Sequence, residues 1–245
     1  THCISSAASD VYKRQMGRLF ARQGIRVVHF STDYVFSGEG ADPWHEACLP
    51  QPRPAGVYGV TKREGERLLE ESGVSGTIVR AGWLHSGERD FVSAVLCAAA
   101  EGRPLSVTGS QIGTPTSTEA LARWTWDALP MLTLSGRLTI VHYVEEGGWV
   151  SRADMAAHLL ASAEKQAAGM GELELAARFK RAREHMRRAD ADDGFRPHNC
   201  RLSSLRQGEF PCKEDWRRGV DKSVDIVISA KKSLWTSNVS NAKTY

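Results

Sequence analysis

From Met16 onward the apolar positions of the chain change period several times. Met16–Gln23 is a short amphipathic run that ends at Gly24, a residue suited to the left-handed turn that closes a helix. Ile25–Ser31 is continuous, β-branched and aromatic, the pattern of a buried strand. Gly, Pro and acidic residues fill Ser37–Gly56 and predict a loop. In Tyr58–Ser72, Leu68 and Leu69 sit among charges ahead of Gly73, which predicts a helix, and Thr77–Arg80 predicts the next strand. Asp90 is placed to cap a helix whose Phe91, Val95 and Ala98 share a face and whose stop is Gly102.

The alternation then loosens. Thr116–Glu119 reads as a capping box that opens a helix containing Trp124 and Trp126. Two residues apart, those indoles cannot share a helix face, so at most one is core. Arg137–Tyr143 predicts a strand, Ser151 with Asp154 opens a helix through Ala163, and residues 171–189 form a charged helical stretch. No element is indicated beyond about Ile228. The pattern as a whole predicts an α/β fold: a Rossmann-type parallel sheet followed by a smaller C-terminal mixed α/β lobe. Residues 16–110 are assigned to the sheet domain and 111–227 mostly to the lobe, interleaved with the sheet, leaving 228–245 as an irregular tail.

Composition narrows the class without fixing a function. With 245 residues, 41% of them apolar, the chain is long enough for a sizeable core, and a net charge of +3 gives no global pull toward nucleic acid or membrane. Cys3, Cys48, Cys97, Cys200 and Cys212 follow no regular spacing, as expected of reduced thiols in a cytoplasmic protein. Ser5–Gln15 (SSAASDVYKRQ) resembles a translated sequencing-library adapter. Residues 1–15 are therefore expected to be non-native, authentic sequence to begin near Met16, and the sheet to be truncated at its start.

Candidate chemistry lies in the first half. Tyr58 and Lys62, at i and i+4 on a predicted helix, project from one face. A phenol ionises near pH 10, and a neighbouring ammonium would lower that value and ready it for proton transfer. Thr32 follows the strand Ile25–Ser31, at the edge of an open α/β sheet where ligands bind, so its hydroxyl is placed to meet a substrate carbonyl. Tyr-x-x-x-Lys alone is a common chance match, and its bland reading is a solvated helix face.

The surrounding blocks give it context. Ser31–Phe36 (STDYVF) is followed by Gly38, Pro43-Trp44 and Glu46, then by Val57–Lys62 (VYGVTK) with Gly65-Glu66. Further along come Arg80–Trp83 (RAGW), Phe91-Val92, Gln111–Thr116 (QIGTPT), Arg196-Pro197 with Asn199 and Leu202, and Trp216 with Gly219. In this order, over roughly residues 16–225, the chain resembles the dTDP-4-dehydrorhamnose reductase family of extended short-chain dehydrogenases/reductases. The resemblance implies an oxidoreductase that uses NADPH or NADH. Tyr58 would be the proton donor, Lys62 the residue that contacts the nicotinamide ribose and tunes Tyr58, and Thr32 the third member of the triad. Asp33 would hold the sugar, Trp83 would pack over it, and the backbone at Phe30 would lie near the cofactor. The implied partner is a nucleotide sugar, and a homodimer is compatible with such a chain.

Departures and rivals stand beside this. Ser110 occupies a position where the family has an acidic or amide residue, and 163–190 is longer and more basic than the family pattern. No GxGxxG or GxxGxxG phosphate loop occurs in the 245 residues. A nucleotide-sugar epimerase shares Tyr-x-x-x-Lys, and the non-catalytic regulatory subunit of methionine adenosyltransferase resembles the same family. Asp33 also reads as a simple turn residue. The run Arg178–Arg183 suggests nucleic acid but is balanced by Glu172, Glu174 and Glu184. His198, Cys200 and Cys212 match no zinc spacing, so no metal is expected.

Overall fold

The computed structural model describes residues 13–48, 54, 56–189 and 196–242, with side chains to residue 236. Most of the adapter-like stretch and part of the loop before Gly56 lie outside the described residues. In chain order the elements are α1 (residues 13–22), β1 (Val27–Thr32), a 3-10 turn (Asp33–Val35), α2 (Gly56–Ser72), β2 (Gly76–Ala81) and β3 (Leu84–His85). There follow α3 (Phe91–Ala100), β4 (Ser106–Thr108), β5 (Ile112–Gly113), β6 (Thr116–Ser117), α4 (Thr118–Leu132) and β7 (Leu138–His142). The chain ends with β8 (Val150–Ser151), α5 (Arg152–Gly169), α6 (Leu173–His185), β9 (Arg187–Ala189), β10 (Asn199–Cys200) and α7 (Trp216–Ala242). Among the described residues no helix is long and apolar enough to cross a membrane.

The chain divides into two compact units, each built from three stretches. The first comprises residues 1–82, 121–144 and 193–213. Its centre is a parallel sheet of order β1-β2-β7, in register from Val27↔Gly76 to Thr32↔Ala81 and from Gly76↔Leu138 to Arg80↔His142. Every residue of β2 is buried, Thr77 and Arg80 included, as expected of a central parallel strand. Val79, Ala81, Val141 and Tyr143 pack with Leu121, Trp124, Ala128 and Leu132 of α4. Trp124 is 4% exposed and Trp126 77%, so one indole is core and the other is not.

The second unit comprises residues 83–120, 145–192 and 214–245. Its core is helical: Met155, Leu159, Leu160 and Ala163 of α5, Phe179 of α6, and Val220, Val224 and Ile228 of α7 are all fully buried. Asp90 caps α3 reciprocally with Ser93, and Ser151 caps α5 through the Asp154 N–H. His85 is buried, with its Nδ1 3.0 Å from Ser223 Oγ.

Three expectations are corrected here. Residues 228–242 are not irregular, because they belong to α7, which runs to Ala242. The basic stretch does not stay helical to 189. Met186 turns extended, and β9 pairs in parallel with β4 from Ser106↔Arg187 to Thr108↔Ala189, a non-local bond that local pattern does not carry. The cap of α4 is Ser117, whose Oγ accepts the Ala120 N–H at 3.3 Å, while Thr116 sits in β6 with its hydroxyl turned to the Thr114 carbonyl.

Candidate active site

At the C-terminal end of β1, Thr32 leaves the strand and caps the turn that follows, accepting the Tyr34 N–H at 3.3 Å. Its own hydroxyl donates to Asp33 Oδ1 at 2.8 Å, and both residues are buried. Helix α2 comes back over this turn at close range. A Cβ on Gly59 would stand 2.1 Å from the Tyr34 carbonyl oxygen, so only glycine allows the approach. That seats Tyr58, 56% exposed, edge-on to Tyr34 with ring centroids 5.7 Å apart and in hydrogen-bond contact with Thr32. One turn on, Lys62 Nζ donates to the Phe30 carbonyl at 2.8 Å. The structure thus brings Phe30, Thr32, Asp33, Tyr58 and Lys62 together. Asp33 is a turn residue and buried at once.

The electrostatics differ from expectation in one respect. Tyr58 is raised above the ordinary phenol value: burial raises it most, the Thr32 contact opposes, and the Asp33 charge adds to the rise. Lys62 is not among these influences, and its Nζ donates to the Phe30 carbonyl. Burial, then the charge of Lys13, holds Lys62 below the usual lysine range, partly offset by Glu66. Beneath them His29 is lowered to about 4 by burial and by Lys62 and Lys13. The result is a phenol that keeps its proton at neutral pH, the form an acid needs.

The buried half of α2 fixes this geometry. Glu66, one turn past Lys62, accepts from Arg80 Nε at 2.9 Å and Nη2 at 2.7 Å, and both side chains are fully buried. Arg63 reaches the same carboxylate at 3.3 Å, and the Arg80 guanidinium lies 5.2 Å from the Phe36 ring. Sequence reasoning gave these two residues no role, although an arginine inside the apolar strand Thr77–Ala81 was a signal of a buried partner. A second missed hub is Glu46, which accepts from the His142 N–H at 2.9 Å, Ser204 Oγ at 2.6 Å and the Leu205 N–H at 2.8 Å. Phe36 stacks on Trp44 at 4.7 Å, and Asn199 Nδ2 donates to the Asp42 carbonyl at 2.8 Å. The Pro43–Glu46 and Arg196–Leu202 blocks are therefore joined to the loop after β1 and to the end of β7.

Trp83 belongs to the second unit. Its backbone is left-handed (φ +41°) and its indole only 8% exposed. A Cβ on Gly113 would lie 2.5 Å from Trp83 Cε2, and the Arg152 guanidinium sits 3.7 Å from the indole centroid and 4.8 Å from that of Phe91. Protein groups thus pack closely on this indole, where the sequence suggested a face open to a sugar. Two basic residues of α6 are engaged internally: Arg178 donates to the Ala100 carbonyl at 2.9 Å and Arg183 pairs with Glu164 at 2.7 Å. Among the described residues no group of three or more His, Cys, Asp or Glu is arranged to hold a metal, and Cys48, Cys97, Cys200 and Cys212 are free thiols.

Comparison with known proteins follows the same lines. Residues 7–228 match the family model described as RmlD substrate binding domain. The dTDP-4-dehydrorhamnose reductase of Shigella flexneri is 31% identical over 209 residues, covering 84% of this chain and 67% of that protein. The Salmonella typhimurium reductase is 36% identical over 143 residues, 58% of this chain and 47% of that protein. The chain therefore spans about half to two thirds of the length of these relatives. In structure it is similar to the Bacillus anthracis dTDP-4-dehydrorhamnose reductase solved in complex with NADP, with a TM-score of 0.69. At 22% identity over 88% of this chain and 70% of that one, this likeness shows the fold.

Proposed function

The chain belongs to the RmlD substrate binding domain family, and we propose that it acts in the reduction of dTDP-4-dehydro-β-L-rhamnose to dTDP-β-L-rhamnose. The observation that carries this reading is the grouping of a protonated phenol, a hydroxyl and an ammonium at the C-terminal end of β1. That donor set fits the nicotinamide-ribose end of NADPH or NADH. Lys62 spends one hydrogen on the Phe30 carbonyl and keeps two for ribose hydroxyls. The bound nicotinamide would supply the hydride.

At the C4 carbonyl the new C–H bond takes the hydride pair, the π pair moves to oxygen, and that oxygen takes the Tyr58 proton, leaving a phenolate that water reprotonates. Lys62 stabilises the phenolate as it forms, which matters more in a half-buried site than in water. In this reading Phe30 and Lys62 serve the cofactor end, and Thr32 and Asp33 the sugar end. The free thiols suit a cytoplasmic setting. The test is direct: with the 4-keto sugar nucleotide present, the protein should consume NADPH and release the 4-hydroxy product, read by nicotinamide absorbance and NMR. No consumption would overturn the proposal.

A further inference from the structure

Helix α6 lies in the stretch that is longer and more basic than the family pattern, and its charges divide between two tasks. Arg183 pairs with Glu164. Arg178, Arg181, Ala182 and His185 stand at i, i+3, i+4 and i+7, which puts them on one face. With the loop after α3, that face encloses a cleft of about 420 Å³ inside the second unit. Leu105 and Ala182 are part of its apolar lining, and Arg103, Arg178, Arg181 and His185 are its charged and titratable side chains. No lining residue is acidic. None belongs to the sequence blocks that carry the family resemblance, or to the group around Tyr58.

The backbone holds these side chains in place. Gly102 closes α3 in a left-handed turn (φ +70°) and bonds to the Ala99 carbonyl, while the Arg103 N–H reaches the Ala98 carbonyl at 2.8 Å. The end of α6 is tied to the same loop: the Arg187 N–H meets the Leu105 carbonyl at 3.0 Å, and β9 pairs with β4. Arg178 Nη1 is fixed by the Ala100 carbonyl at 2.9 Å, and Nη2 carries two further N–H groups. Closing the end of α3 accounts for Arg178 alone and leaves Arg103 and Arg181 without a structural task. Glu101 pairs with Arg103 at 2.7 Å, and Glu174 lies 3.6 Å from Arg178 and 3.8 Å from Arg181. Both carboxylates are half exposed or more, so these pairs are weak. A phosphate, which takes two N–H groups from one guanidinium fork, is the stronger partner.

We propose that this cleft binds a small organic phosphate monoester, with Arg103, Arg178 and Arg181 on the phosphate and Leu105 and Ala182 against the organic part. The proposal stands apart from the reductase reading. Its test is a titration of the ¹⁵N-labelled full chain with phenyl phosphate and, separately, with inorganic phosphate. The Leu105 and Ala182 amide resonances should shift to saturation with phenyl phosphate, which should bind more tightly than inorganic phosphate because the apolar lining takes its ring. Arg103→Ala and Arg181→Ala, both at exposed positions, should each weaken phenyl phosphate by about tenfold. Arg181→Lys should fall between parent and Arg181→Ala, since it keeps the charge and loses the fork. Arg67→Ala, which removes an equal charge in the first unit, should change nothing. Absence of saturation at Leu105 and Ala182, an affinity unmoved by Arg103→Ala and Arg181→Ala, or equal affinity for the two probes would overturn the proposal. So would a single-stranded oligonucleotide that displaces phenyl phosphate at lower concentration than phenyl phosphate itself requires, which would make the cleft part of a nucleic-acid surface. The titration needs no turnover, so a protein that binds phenyl phosphate here and consumes no NADPH sinks only the reductase reading.

Discussion

Helix α2 has two ends that do opposite things. Its first turns expose Val57, Tyr58 and Val60, while its later ones bury Gly65, Glu66, Leu68 and Leu69. In the proposed reading the exposed end carries the chemistry and the buried end carries none, yet the second determines where the first stands. A salt bridge illustrates the difference. On the outer surface of the helix Arg67 pairs with Glu64 and Glu71, side chains 36% to 49% exposed. Inside, Arg80 holds Glu66 with no exposure at all. The outer pairs are solvated and interchangeable with water. The inner pair is bidentate, links strand to helix, and leaves a bare buried charge if either member is lost.

The strongest way to break this comparison is to remove one inner partner. Arg80→Met should destabilise the protein by about 3–5 kcal/mol, read as a fall in the urea midpoint. A loss no greater than that of a surface variant would refute the anchoring role. Gly59→Ala tests the seat of the exposed end. The new methyl meets the Tyr34 carbonyl, so α2 must lift, at a cost of about 1–3 kcal/mol. The account expects kcat to fall further than stability alone explains, and an active Gly59→Ala variant with parent kcat would count against it.

Acid separates the layers in another way. His29, His85 and His142 are each lowered from 6.5 to about 4, chiefly by burial. Their folded values lie below the unfolded one, so their contribution is complete above about pH 6.5 and is lost as pH falls toward 4. Glu66 acts lower, from the ordinary carboxylate range downward. Burial would raise its value, but the Arg80 hydrogen bonds and charge outweigh burial and hold it below the usual carboxylate range. Unfolding midpoints should therefore drop between pH 7.5 and 5, and drop less in His29→Gln; a flat profile would refute this. The smallest effect is expected from Arg67→Ala, which should leave the midpoint and kcat within error of the parent.

Much of this layout was legible in the sequence. Spacing put Tyr58 and Lys62 on one helix face and the surrounding blocks gave the pair its context; β1 showed itself by its β-branched run, and α1, α2 and α3 by period and by their stops at Gly24, Gly73 and Gly102, all left-handed in the structure. What stayed hidden was non-local. Nothing near Glu66 names Arg80, fourteen residues away, as its partner. β9 exists because β4 pairs with Arg187–Ala189 after a helix of similar basic composition. Helix α7 buries Val227, Ile228 and Trp235 at helical spacing, but Lys231, Lys232 and the Ser- and Asn-rich end mask the pattern in the sequence. The Tyr58 shift was hidden for the same reason: spacing put Lys62 on its face, while the burial that raises it comes from the fold.

The central claim is that Tyr58 gives the proton while the buried half of α2 only holds it in place, and Tyr58→Phe tests this most directly. The account predicts a loss of NADPH-dependent reduction of the 4-keto sugar by about a hundred- to ten-thousand-fold, with the unfolding midpoint unchanged. Reduction at the parent rate in Tyr58→Phe would contradict it.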